Sequence, residues 1–221
     1  MHDDSGPARA GRQHARIDRG CHVTGIYRLE SDGGDGYPAR HQTMSDGGSM
    51  DILDKIGSAN GDPQQWNPPF CGDIDMEIRA DGSWWYLGTP IVRPELVKLF
   101  ARVLRKEEEK YFLVTPAEKV GIRVADAPFV ITDADILDPG QDSQRILLTS
   151  NLGEQFELNA EHALINRGKP ADPRYYVHVR HDLWALLARA AYYRLTADVE
   201  SLPEPDDGFG LRSHGQWFRL L

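Results

Sequence analysis

The chain has 221 residues, a net charge of −9 from 34 acidic and 25 basic side chains, and 40% hydrophobic residues. That length holds one large domain or two small ones, and the negative charge argues against broad nucleic-acid binding because it repels phosphate backbones. No apolar run approaches the roughly 20 residues of a membrane-spanning helix, no secretory signal is visible, and the chain reads as cytoplasmic.

The first stretch, 1–43, is rich in Gly, Asp, Arg and His and has neither helical nor strand periodicity. It cannot bury enough apolar surface to offset its ordering entropy. Residues 1–60 therefore read as a disordered arm or an over-long gene start, with Met44 and Met50 as alternative starts. Within it, "MDILDKIGSA" places Ile52, Leu53 and Ile56 on one helical face. The only cysteines are Cys21 and Cys71, too few for a disulfide framework or a zinc site.

An N-terminal α+β unit is expected over 66–108. Ile74, Met76 and Ile78 alternate with charged residues as a half-buried strand, and Asp81-Gly82 is a hairpin turn. Trp84 to Leu87 return as the second strand. Pro94 suits the first turn of a helix, with Leu96, Leu99, Phe100 and Val103 on one face, ending near "RKEEEK". From 110 to 221 the pattern predicts a second unit. Seven strands ("YFLV", "KVGIRVAD", "PFVITDADIL", "RILLTS", "EQFELN", "HALINR", "YYVHVR") precede a helix from Asp182. That reads as a bent sheet or partly open barrel closed by a helix. The tail ends in Trp217, Phe218, Leu220 and Leu221, too apolar to stay in water.

"VRPELVKLFAR" at Val92–Arg102 and "VRHDLWALLAR" at Val179–Arg189 share six residues at an offset of 87. Two amphipathic helices, each entered through Val-Arg, would result from duplication of a hairpin-helix core.

"CGDIDMEIRADGSWWYLGTPIVRPELVKLFARVLRKEEEKYFLVTPAEKVGIRVADAPFV" and "YYVHVRHDLWALLAR" resemble the bacterial domain-of-unknown-function family 1285, over roughly Asn67–Leu195. His181-Asp182 stands where that family usually carries Asp/Glu-Gly, and Ala190-Ala191 replaces a Pro-hydrophobic pair. The resemblance implies a duplicated α+β fold whose C-terminal half is pleckstrin-homology-like. It also implies a ligand site between the domains, for a nucleotide-like molecule, and a part in signal transduction.

No phosphate loop, dinucleotide fingerprint, nucleophile elbow or zinc-protease motif is present. "DADILDPG" fails as a calcium loop because Leu137 occupies a ligand position. His162, His178 and His181 read as satisfied or exposed side chains rather than a metal site. No catalytic residue, cofactor or metal is expected. Candidate ligand-binding residues are Arg180 and Arg93, each standing before an expected helix; Tyr176 and His178 on the strand face of Arg180; Trp84 and Trp85 as stacking rings; and Glu118 with Arg123, for which cross-strand ion pairing is the alternative. The leading functional reading is a non-catalytic regulatory protein binding a nucleotide-like anion between its domains. The alternatives are a protein-interaction module and, less favoured, an enzyme acting on a nucleotide-like substrate.

Overall fold

The computed structural model describes Ile56 and residues 61–169, 171–203 and 207–220. After a short 3-10 turn, Pro63–Gln65, the first half contains β1 (Phe70–Ile78), β2 (Trp84–Tyr86), β3 (Thr89–Pro90), α1 (Pro94–Arg102), β4 (Leu104–Glu107), β5 (Lys110–Val114) and β6 (Lys119–Val124). These strands form a six-stranded sheet in the order β3-β2-β1-β6-β5-β4. The second half contains β7 (Phe129–Leu137), β8 (Arg145–Ser150), β9 (Gln155–Glu157), β10 (Leu164–Asn166), β11 (Tyr175–Arg180), β12 (Leu183–Leu187) and α2 (Arg189–Thr196). Its sheet runs β10-β11-β12-β7-β8-β9. The chain closes with β13 (Glu200–Ser201), β14 (Phe209–Ser213) and β15 (Gln216–Arg219), a separate three-stranded sheet.

Read from the other edge, the second order is the first order repeated strand for strand. Each half is two antiparallel three-stranded meanders joined in the middle by one parallel pair, β1 with β6 and β7 with β12. The described strands thus make two six-stranded sheets instead of the seven-stranded unit expected from the sequence. The chain changes sheet between Val124 and Phe129, later than the expected division near residue 109, because β5 and β6 pair with β4 and β1.

The repeat is therefore one of topology, and the similar "VR…AR" segments are not its copies. Val92–Arg102 enters and forms α1, whereas Val179–Arg189 is the end of β11, a turn, and β12. Leu183, Ala185 and Leu187 are buried while Trp184 and Leu186 are half-buried, the period of a strand. Leucines at 183, 186 and 187 satisfy a helical spacing equally well, so periodicity could not arbitrate over so short an apolar run. The deciding residue is His181, whose φ of +49° turns the chain back. The family's Asp/Glu-Gly at this place is a hairpin signal of the same meaning.

Two further expectations change. The first helix ends at Arg102, and Leu104 and Arg105 are buried at the start of a strand pairing with β5. Ile56, assigned from sequence to the disordered arm, is 1% exposed within the core, and its carbonyl accepts a bond from Arg102 at 3.0 Å. The remainder of that arm lies outside the described residues, as do Ile52, Leu53 and Leu221. The aromatic tail does pack back. Leu211, Phe218 and Leu220 are buried, and Ser213 Oγ donates to the Leu158 carbonyl and accepts from the Ile146 N–H. One hydrophobic cluster runs through both halves.

Candidate functional site

Two hairpin turns from different sheets meet at the seam. Asp81 accepts from the N–H and hydroxyl of Ser83 at 2.9 and 2.6 Å and holds the β1–β2 turn closed. These bonds hold its carboxyl below the ordinary aspartate range. Gly82 has φ +80°, and a Cβ there would stand 2.6 Å from Asn151 Nδ2 and 2.9 Å from Val130 Cγ2. Only glycine lets the turn approach so closely. Asn151, in the β8–β9 turn, donates to the Gly82 carbonyl at 3.1 Å and accepts from the Val130 N–H at 3.1 Å.

Beside this clasp lies a cavity of about 540 Å³, bounded by the two turns, the segment after β3 and the first turns of α1. Trp84, Ile91, Val97 and Leu152 supply apolar wall; Ser83, Asn151 and Lys98 supply polar groups. Pro94 opens α1, and the N-cap residue Arg93 makes no side-chain capping bond. Arg93 is exposed between two residues of the cavity lining, Val92 and Pro94. Lys98 lies 3.7 Å from Glu95, an exposed pair of small energetic weight.

The remaining sequence candidates are spread over the seam and the outer faces. Trp84 is 1% exposed and stacked on Phe100 at 6.0 Å, so it is a core wall and offers no stacking face. Trp85 is on the opposite strand face, under the Arg79 guanidinium at 3.4 Å. Arg180 does not precede a helix. It ends β11, and its Nη2 donates to the Ala101 carbonyl in the last turn of α1 at 2.7 Å, the helix end that favours a cation. Its guanidinium lies 5.2 Å over Phe129 and 4.0 Å from Glu154. Burial lowers its pKa from the usual arginine value, with Glu154 opposing.

Tyr176 is buried, and its hydroxyl donates to Asp126 at 2.7 Å. Burial first, then this bond, raises its pKa above the ordinary tyrosine value. The two ring nitrogens of His178 face the carbonyls of Glu161 and His181, at 2.7 and 2.5 Å. Arg123 is tied across β1 and β6 to Asp75 at 2.7 Å and to Glu77 at 3.6 Å, cross-strand ion pairs with acids of β1 that the sequence had not pointed to. Glu118 is buried in the β5–β6 turn, where its N–H donates to Thr115 Oγ1. The structure thus ties Arg180 to α1 and Tyr176 to Asp126 between the sheets, while the ring nitrogens of His178 face carbonyls of its own half. Sequence reasoning missed Asn151 and Lys98, since a turn asparagine and a helical lysine carry no signal of what they face. Among the described residues no cluster of His, Cys, Asp or Glu could hold a metal ion, and no helix is long and apolar enough to cross a membrane.

Two family models match end to end: the DUF1285 N-terminal domain, a domain of unknown function, over residues 63–127, and the DUF1285 C-terminal domain over 128–220. The chain belongs to the DUF1285 family. The DUF1285 boundary falls where the chain leaves the first sheet for the second. A crystal structure of a DUF1285 family protein from Silicibacter pomeroyi DSS-3 is 41% identical, with a TM-score of 0.68, covering 77% of this chain and 94% of that one. A second DUF1285 structure, from Shewanella baltica OS155, is 30% identical over 57% of this chain and 92% of its own, with a TM-score of 0.45. No curated protein matches.

Proposed function

We propose that this DUF1285 protein is a non-catalytic regulatory protein that binds a small nucleotide-like anion in the cavity between its two sheets. The observation that carries the reading is the cavity itself, about 540 Å³ and lined from both halves, within the size range of small-ligand sites. Lys98, Arg93 and the amino end of α1 supply positive charge on one side. Ligand contact with both the Asp81-Gly82 turn and the Asn151 turn would couple occupancy to the fit between the halves, which is how a small molecule can act in signal transduction. We also propose that the C-terminal half, a curled sheet with α2 against β7, serves as a recognition platform in the manner of a pleckstrin-homology-like domain. A protein partner is the second reading. It rests on Val92 and Leu87, 80% and 53% exposed, the first of them at the cavity.

The test is a thermal-shift screen against nucleoside mono- and triphosphates and cyclic nucleotides, with Lys98→Ala and Asn151→Ala alongside. A ligand at 100 times its dissociation constant stabilises by roughly 2.7 kcal/mol. Both variants are expected to weaken binding. A nucleotide that binds both variants as tightly as the parent chain, or no shift with any nucleotide, removes the proposal.

A further inference from the structure

Most arginines of the two sheets have an anionic or carbonyl partner: Arg79 with Glu77, Arg105 with Glu107, Arg123 with Asp75, Arg145 with Glu157, Arg174 with Asp126, Arg180 with Ala101. Arg167, at the end of β10, departs from this. Its guanidinium lies 4.3 Å from the Trp184 ring centroid and 5.2 Å from that of Tyr176, and among the described residues it makes no ion pair and no side-chain hydrogen bond. The side chain is exposed, yet its base is held. The Arg167 N–H donates to the Arg174 carbonyl, and Asn166 Oδ1 accepts from Gly168 and Arg174. Two rings therefore orient a planar fork of N–H donors that has no acceptor.

The neighbouring carboxylates are already engaged. Asp126 accepts from Tyr176 at 2.7 Å and lies 3.2 Å from Arg174; Asp182 lies 3.1 Å from Lys106. Asp126 thus has Arg174 as its counter-charge, while Asp182 shares Lys106 with Glu109. A guanidinium stacked on aromatic faces is weakly hydrated and pre-oriented, so it loses little entropy when a planar oxyanion binds in bidentate fashion.

We propose that Arg167, seated on Trp184 and Tyr176, is a recognition site for a phosphate or carboxylate group of a small ligand, distinct from the cavity at α1. The experiment follows the Arg167 Nε–H and Trp184 indole N–H resonances of the full chain as inorganic phosphate, phenyl phosphate or benzoate is added at constant ionic strength, with sodium chloride as control. The phosphate and benzoate arms separate the two oxyanion classes. Both resonances are expected to shift saturably with at least one oxyanion. Arg167→Gln is expected to weaken that binding about tenfold or more, the scale of one lost charge-assisted pair, while Arg167→Lys recovers part of it. Equal shifts with chloride, no saturable shift, or unchanged affinity in a folded Arg167→Gln variant overturns the proposal. Lys98→Ala is expected to leave this binding untouched; a loss there would assign the oxyanion to the α1 cavity instead.

Discussion

The two halves have one strand order and two ways of crossing from edge to edge. In the first, β3 and β4 are opposite edges, and the connection between them contains the nine-residue α1. In the second, β9 and β10 are opposite edges, and only residues 158–163 join them. Such a link spans roughly 25 Å at full stretch, about the width of six flat strands at roughly 4.8 Å spacing. It is not stretched, because Asn159 Oδ1 accepts from the N–H groups of Glu161 and His162 in a tight turn. The second sheet must therefore curl to bring its edges together, and the rings of Phe156 and His162 lie 4.7 Å apart across the link. Against the Val97, Phe100 and Ala101 that α1 contributes to the core of the first half, the short link contributes Leu158 alone. In the second half, apolar side chains come instead from α2 and the C-terminal hairpin.

If the hairpin stands in for a missing crossover helix, removing 207–221 is the most damaging change. Leu211, Phe218 and Leu220 are buried, each worth about 2–5 kcal/mol as a truncation, a sum comparable with the whole stability of a domain. The truncated chain is expected to lose cooperative unfolding in urea; a cooperative transition near the parent midpoint would show that the second sheet closes without it. Phe100→Ala removes the ring that α1 stacks on Trp84 and is expected to cost about 3–5 kcal/mol by equilibrium denaturation. A cost below about 1 kcal/mol would mean that α1 is peripheral to the core.

Gly82→Ala tests the clasp between the halves. The added methyl meets Asn151 and Val130, and the positive φ disfavours any side chain, so about 1–3 kcal/mol of destabilisation is expected. Tyr176→Phe breaks the bond to Asp126 while keeping the ring, and is expected to cost about 1 kcal/mol in thermal denaturation. A larger loss would make Asp126, placed between the sheets, a linchpin of their arrangement.

The smallest effect is a pH dependence. Burial pushes the Glu107 carboxyl up, but hydrogen bonds from Lys119 and Arg105 outweigh it and hold its pKa below the ordinary value of 4.5. Its contribution is therefore complete above pH 4.5 and is lost as the pH falls through the lower folded value. Glu107→Gln should flatten that part of the acid-stability curve, which urea midpoints between pH 3 and 6 would read. An unchanged slope would leave this pair without energetic weight.

Much of the first half was legible from local chemistry. Asp81-Gly82 is a turn because glycine accepts positive φ, Pro94 opens a helix because its ring pre-sets φ, and Ile74, Met76 and Ile78 alternate into a core. In the second half most strands were legible, but not the hairpin at His181, where neither residue of the turn is glycine and the following leucines fit two periods. Partnership between distant segments was legible nowhere. That Asn151 clasps Gly82, that Arg180 caps the far end of α1, and that Arg167 rests on two rings without an acceptor all depend on which sheet edges adjoin. Sequence determines each residue's conformational preference and polarity. Only the closure of two curled sheets around one core decides which of those groups meet.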